Sequence, residues 1–151
     1  LFQDKLLKFL VPSAIASIIV NYSLNVFFLA PLLNYQGPSQ AAAFLKEEKY
    51  SNMKIYLYKE AENAKSRSFN YCLDQETVYI DEEFPDQTTG NGRAFVYTGN
   101  KGYNALKNQN RQIEILAVFN HFRVSKLNLK FLDVKTRTEV LEKKYLLVLS
   151  S

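Results

Sequence analysis

The side chains able to do chemistry are few and scattered along this 151-residue chain. There is one histidine, His121, and one cysteine, Cys72. A lone imidazole cannot hold a metal ion, and a single thiol excludes an intrachain disulfide framework. No base lies beside Cys72 in the sequence to draw off its proton, so it reads as a small core hydrophobe. His121, between Phe119 and Phe122, reads as a strand residue near a sheet end. Four carboxylates, Asp81, Glu82, Glu83 and Asp86, crowd one segment around Pro85. Paired carboxylates can do acid–base work or bind a hard cation. With no histidine among them and no calcium-loop spacing, they read as a solvated acidic loop. Thr98-Gly99-Asn100-Lys101-Gly102 joins an expected strand to an expected helix. Backbone N–H groups at a helix start can cradle a phosphate. The GxxxxGK[ST] pattern is absent, however, and a plain tight turn is the simpler reading. No catalytic constellation emerges from these residues.

The element that positions everything else is the stretch Phe9 to Leu33, FLVPSAIASIIVNYSLNVFFLAPLL. No charged residue occurs between Lys8 and Lys46. As a helix it would run roughly 38 Å, long enough to cross a hydrocarbon core about 30 Å thick. It therefore predicts a transmembrane helix. Pro12 is expected in the first turn, and Pro31 at an end or a kink. A secretory signal is the weaker reading, because the stretch exceeds a usual apolar core and no small-x-small site follows it before Pro31. Ser13, Ser17, Asn21 and Asn25 recur four apart and share one face. Such a face suits contact with other membrane helices, so the chain is expected to be a piece of a larger multi-spanning protein. Lys5 and Lys8 precede the helix and no basic residue follows it for a dozen positions. That bias places the N-terminal side in the cytoplasm and the rest outside. Tyr35 falls where an interfacial aromatic would.

The division expected is residues 1–36 for the membrane helix and its exit, and 37–151 for a single outer domain. Net charge is +4, with lysines interleaved among glutamates as in KEEKY and EKKY. Nothing resembles the clustered basic stripe of a nucleic-acid binder, so no nucleic-acid partner is expected. Ser39 reads as the cap of a helix running to about Glu48. Met53 to Tyr58 alternates as a strand, Glu60 to Leu73 is partly helical, and Thr77 to Ile80 is a short strand. Ala94 to Tyr97 is a strand and Gly102 to about Asn110 a helix. This alternation argues for right-handed crossovers and parallel pairing. Gln112 to Phe122 carries a continuous apolar run, the signature of a central strand buried on both faces. Lys126 to Leu132 and Thr138 to Leu149 are expected to close the sheet as a hairpin about a turn at Asp133–Thr136. The fold class is thus α/β: an N-terminal transmembrane helix followed by a small mixed α/β domain ending in an antiparallel hairpin.

Two stretches carry a resemblance. LLNYQGPSQAAAFL, directly after the apolar helix, and the C-terminal KLNLKFLDVKTRTEVLEKKYLLVL resemble the end of bacterial polytopic lipid-linked glycosyltransferases. These are the transferases related to aminoarabinose transferase and the protein mannosyltransferases. The resemblance implies transfer of a sugar from a polyprenyl-phosphate donor to an envelope acceptor on the outer face of the inner membrane. It implies membrane lipid and the remaining transmembrane helices of the parent as partners, and a periplasmic location for the C-terminal domain. Catalytic carboxylates and any divalent metal would lie in the parent's first outer loops, outside this chain. No catalytic residue or cofactor is expected here. Tyr35, Gln36 and Gln40 are the candidates, by position alone, to border the lipid-phosphate cavity. The alternative, from a different class, is a single-pass anchored interaction module, pilin-like or an envelope assembly factor. A third reading is a soluble α/β domain with a buried N-terminal helix.

Overall fold

The computed structural model of the chain describes residues 2–48, 50, 53–59, 67–82, 84, 93–109, 111–123 and 128–150. Several expectations fall outside these residues: the start of the 60–73 helix, Glu83, Pro85 and Asp86 of the acidic loop, and Lys126 and Leu127. The chain divides into two compact units, Leu1–Asn34 and Tyr35–Ser151.

The first unit is helical from Phe2 to Leu33. α1 spans Phe2–Ser23, a π-helical stretch follows at Leu24–Leu29, and α2 closes it at Ala30–Leu33. The stretch Phe9 to Leu33 holds neither charge nor glycine, which favours continuous helix over any broken form. Leu7–Leu29 is long and apolar enough to cross a membrane, and none of its most apolar window is buried against protein. Ile18, Phe27 and Phe9 are among its exposed side chains. Its surface is apolar apart from the face that carries Ser13, Ser17, Asn21 and Asn25. Pro12 lies well inside α1 rather than in its first turn, because the helix begins at Phe2. Pro31 does not end the helix, which continues past it to Leu33.

The side chains of Ser13, Asn21 and Asn25 turn back onto their own helix. Ser13 Oγ donates to the Phe9 carbonyl at 2.8 Å, Asn21 Nδ2 to Ser17 at 3.0 Å, and Asn25 Nδ2 to Asn21 at 2.8 Å. The spacing that aligns them on one face also puts each side chain one turn above a carbonyl.

The second unit is a mixed five-stranded sheet between helices. α3 spans Gly37–Glu47, β1 Ile55–Tyr58, α4 Arg67–Leu73, β2 Val78–Ile80, β3 Arg93–Gly99, α5 Asn100–Asn108 and β4 Gln112–His121. Then come α6 at Leu129–Leu132, a 3₁₀ turn at Arg137–Val140 and β5 at Glu142–Ser150. The strand order is β2-β1-β3-β5-β4. β2, β1 and β3 are mutually parallel, as the strand–helix alternation predicts. β5 runs antiparallel to both β3 and β4. One face packs Ile55, Leu57, Phe95, Tyr97, Leu146 and Val148 against α3 and α4. The other packs Tyr56, Tyr58, Val96, Leu147 and Leu149 around Leu106 of α5.

Three expectations need correction. β4 is an edge strand and not the central one; Ile115 and Val118 are exposed on it. The inner position belongs to β5, whose Leu146–Leu149 are all buried. A fully buried run and a half-exposed apolar run read alike in sequence, and β4 also bulges between Ile115 and Ala117. Leu129–Leu132 is a helical turn and not a strand, because Asn128 caps it through a side-chain bond to Phe131 N–H at 2.9 Å. The closing antiparallel pair is therefore β4 with β5. Finally, α3 starts at Gly37, two residues before Ser39, with Pro38 in its first turn.

Candidate functional site

Tyr35, Gln36 and Gln40 lie at the start of the second unit, around the first turn of α3. Tyr35 is half-buried and held from three directions. Its carbonyl accepts the Phe122 N–H at 2.8 Å. Its ring meets Phe131 edge-on, with centroids 5.3 Å apart. The Arg137 guanidinium lies 5.6 Å over the same ring and 5.2 Å over Phe131. Phe131 in turn stacks on Phe122 at 3.8 Å. Gln36 precedes α3, and its Oε1 lies 3.5 Å from Ser39 Oγ. Its backbone carbonyl accepts from Gln40 N–H at 3.1 Å, the first rung of the helix. The three residues are thus neighbours in space as in sequence.

The structure adds residues that sequence reasoning did not join to them. The buried Gly37 donates its N–H to His121 Nδ1 at 3.3 Å, across 84 positions of sequence. An N-terminal helix N–H has no partner within its own helix. The cap that Ser39 was expected to supply comes from the imidazole at the end of β4. Gly37 is also where helix and sheet come closest. A Cβ there would fall 2.9 Å from Tyr97 Oη, 3.2 Å from His121 Cβ and 3.3 Å from Lys144 Cγ. Only glycine fits without displacing one of them. Burial holds the His121 pKa below its ordinary value, and the Lys144 charge lowers it further. Glu142 and the Tyr35 backbone pull the other way, and Arg123 adds a smaller lowering. The imidazole is therefore the neutral form, whose Nδ1 can accept. No local signal marks this contact; the NYQG run alone does not reveal what faces it.

This corner binds its own chain. His121 Nδ1 is occupied by Gly37, and the aromatic and cationic groups around Tyr35 are engaged with one another. Among the described residues, no group of three His, Cys, Asp or Glu side chains is placed to hold a metal ion. Asp81 and Glu82 are exposed. Cys72 packs against the α3–α4 side of the core, as a small hydrophobe would. The Thr98–Gly102 turn is spent on packing. Thr98 Oγ1 donates to the Tyr58 carbonyl at 2.6 Å inside the core. A Cβ on Gly102 would fall 1.9 Å from that hydroxyl and 2.9 Å from the Tyr58 carbonyl oxygen. That approach accounts for the glycine without any bound anion.

The fold and site define a class: an α/β domain carried behind an apolar helix of membrane-spanning length. No protein-family model matches the sequence, and neither a curated protein nor a solved structure is significantly similar to it.

Proposed function

We propose that this chain is a membrane-anchored, non-catalytic α/β domain, the C-terminal part of a polytopic glycosyltransferase that uses a polyprenyl-phosphate sugar donor. The anchoring half of this reading is carried by the uncovered apolar surface of Leu7–Leu29. The transferase half rests on the resemblance in LLNYQGPSQAAAFL and in the C-terminal stretch. In this reading the helix is the last span, in the inner membrane, and residues 37–151 stand in the periplasm. Remaining spans of the parent and membrane lipid are its partners. Tyr35, Gln36 and Gln40 border the cavity in which the lipid phosphate sits, and any divalent metal belongs to the parent's earlier loops. The domain packs on the bundle, covers the cavity and helps select the acceptor.

One observation favours the second reading, a single-pass anchored interaction module. The Asn21 and Asn25 amides each donate one N–H to a carbonyl of their own helix, so that donor needs no neighbouring span. One experiment separates the two. Membranes holding the native protein that contains this chain are given a labelled polyprenyl-phosphate hexose. Sugar incorporation above that of membranes from a deletion strain supports the transferase. Equal incorporation overturns it and leaves the anchored module.

A further inference from the structure

The turn from Asn128 to Val140 is held by its own polar groups yet turns apolar side chains outward. Asn128 caps the α6 turn, and Arg137 Nε donates to the Phe131 carbonyl at 2.8 Å. Thr136 Oγ1 donates to the Lys130 carbonyl at 2.9 Å, and Asp133 Oδ1 accepts from Lys135 N–H at 2.9 Å. Phe131 faces inward and is buried. Leu129 is 83% exposed, Val134 74% and Leu132 43%. A bonded turn that holds three aliphatic side chains in solvent forgoes the burial that would normally reward them.

Two further facts say what covers it. The segment is fastened to Tyr35 through Phe131 and Arg137, and Tyr35 directly follows the unit that contains the apolar helix. The patch therefore sits where the chain enters the domain. The turn also carries cations. Lys130, Lys135 and Arg137 stand among its apolar residues against Asp133 and Glu139, a balance of +1, with Lys130 Nζ 3.4 Å from Glu139 Oε2. Aliphatic side chains flanked by cations suit the headgroup boundary of a bilayer containing anionic lipid.

We propose that the turn from Asn128 to Val140 is a second membrane contact. Leu129, Leu132 and Val134 enter the acyl boundary of a phospholipid leaflet, and Lys130 and Lys135 lie among anionic headgroups. The proposal rests on the anchoring part of the functional reading, not on the transferase part.

The test uses the full chain in a Cys72→Ser background, reconstituted into phosphatidylcholine vesicles containing about one-third phosphatidylglycerol. An environment-sensitive fluorophore is attached at Val134→Cys or, as a control, at Tyr71→Cys on the exposed side of α4. Doxyl-labelled lipid should quench the probe at position 134 about two-fold or more over that at position 71. Lys130→Glu with Lys135→Glu should remove most of that difference. If the protein floats with the vesicles but both positions are quenched alike, the contact is refuted while anchoring stands. If the probe at 134 is shielded from water yet insensitive to doxyl lipid, a protein surface covers the patch and the proposal is wrong. If the chain does not float at all, anchoring fails and the inference fails with it.

Discussion

Gly37 and Gly102 are the two positions where a single methyl group is informative. The Cβ of Gly37→Ala meets the Tyr97 hydroxyl at 2.9 Å, and His121 Cβ and Lys144 Cγ at 3.2 and 3.3 Å, all side-chain atoms. The Cβ of Gly102→Ala meets the Tyr58 carbonyl oxygen and the Thr98 hydroxyl that is bonded to it. Overpacking costs about 1–3 kcal/mol, and more where backbone must move. Urea unfolding followed by tyrosine near-UV dichroism should therefore rank Gly102→Ala as the more damaging of the two. The reverse order would show that the α3 corner, not the α5 corner, is the tighter.

His121 supplies a pH dependence. Its folded pKa lies below the ordinary value of about 6.5, so the unfolded chain binds the proton more readily. The stabilisation is complete above about 6.5 and is lost as pH falls through the folded value. The domain should thus have a denaturation midpoint that declines on acidification from neutrality. His121→Gln, which can still accept from Gly37 but does not titrate, should flatten that decline between neutrality and the onset of carboxylate protonation. An unchanged profile would mean that other groups carry the pH response.

Among the elements, β5 and β4 make a matched comparison, because Leu147 and Ile115 are register partners. Leu147 is fully buried, whereas Ile115 is 45% exposed on the edge. Leu147→Ala should cost about 2–5 kcal/mol, the range for a large core side chain. Ile115→Ala should cost under about 1 kcal/mol, since little cavity can form at a half-open site. Equilibrium unfolding of the two variants measures this. Equal losses would place β4 in the interior, which is where its unbroken apolar run had suggested it belonged. The long edge is managed in part by the bulge at Ile115–Ala117, which disrupts a flat template for further pairing.

At the scale of the molecule, the apolar helix is either solvated by lipid or has no reason to be so apolar. Ile15 and Ile19 are exposed, one turn apart, near the middle of the span. Ile15→Lys with Ile19→Lys should cost about 2.5–3.5 kcal/mol per residue for insertion. Alkaline carbonate extraction should then move the chain from the membrane pellet to the supernatant, with the α/β unit still folded by near-UV dichroism. A variant that leaves the membrane only by unfolding would instead point to a helix with a structural role in the domain.

The sequence by itself determined what depends on local composition and period. The charge-free run before Lys46 specified a membrane-length helix, because no soluble surface lacks charge over such a span. Alternating strand and helix patterns specified the parallel pairs β1–β2 and β1–β3, because crossovers of that length allow little else. Only the tertiary structure decided which apolar run lies inside. Residues 115–119 and 146–149 are both apolar throughout, and the choice between them depends on β5 inserting beside β3. It also decided that Asn128 starts a turn, that Asn21 and Asn25 bond to their own helix, and that His121 caps Gly37. Each of these depends on a geometric partner, and in the last case that partner is 84 residues away in the chain. Pattern and propensity act over a few neighbours; contacts of that separation exist only once the sheet has closed.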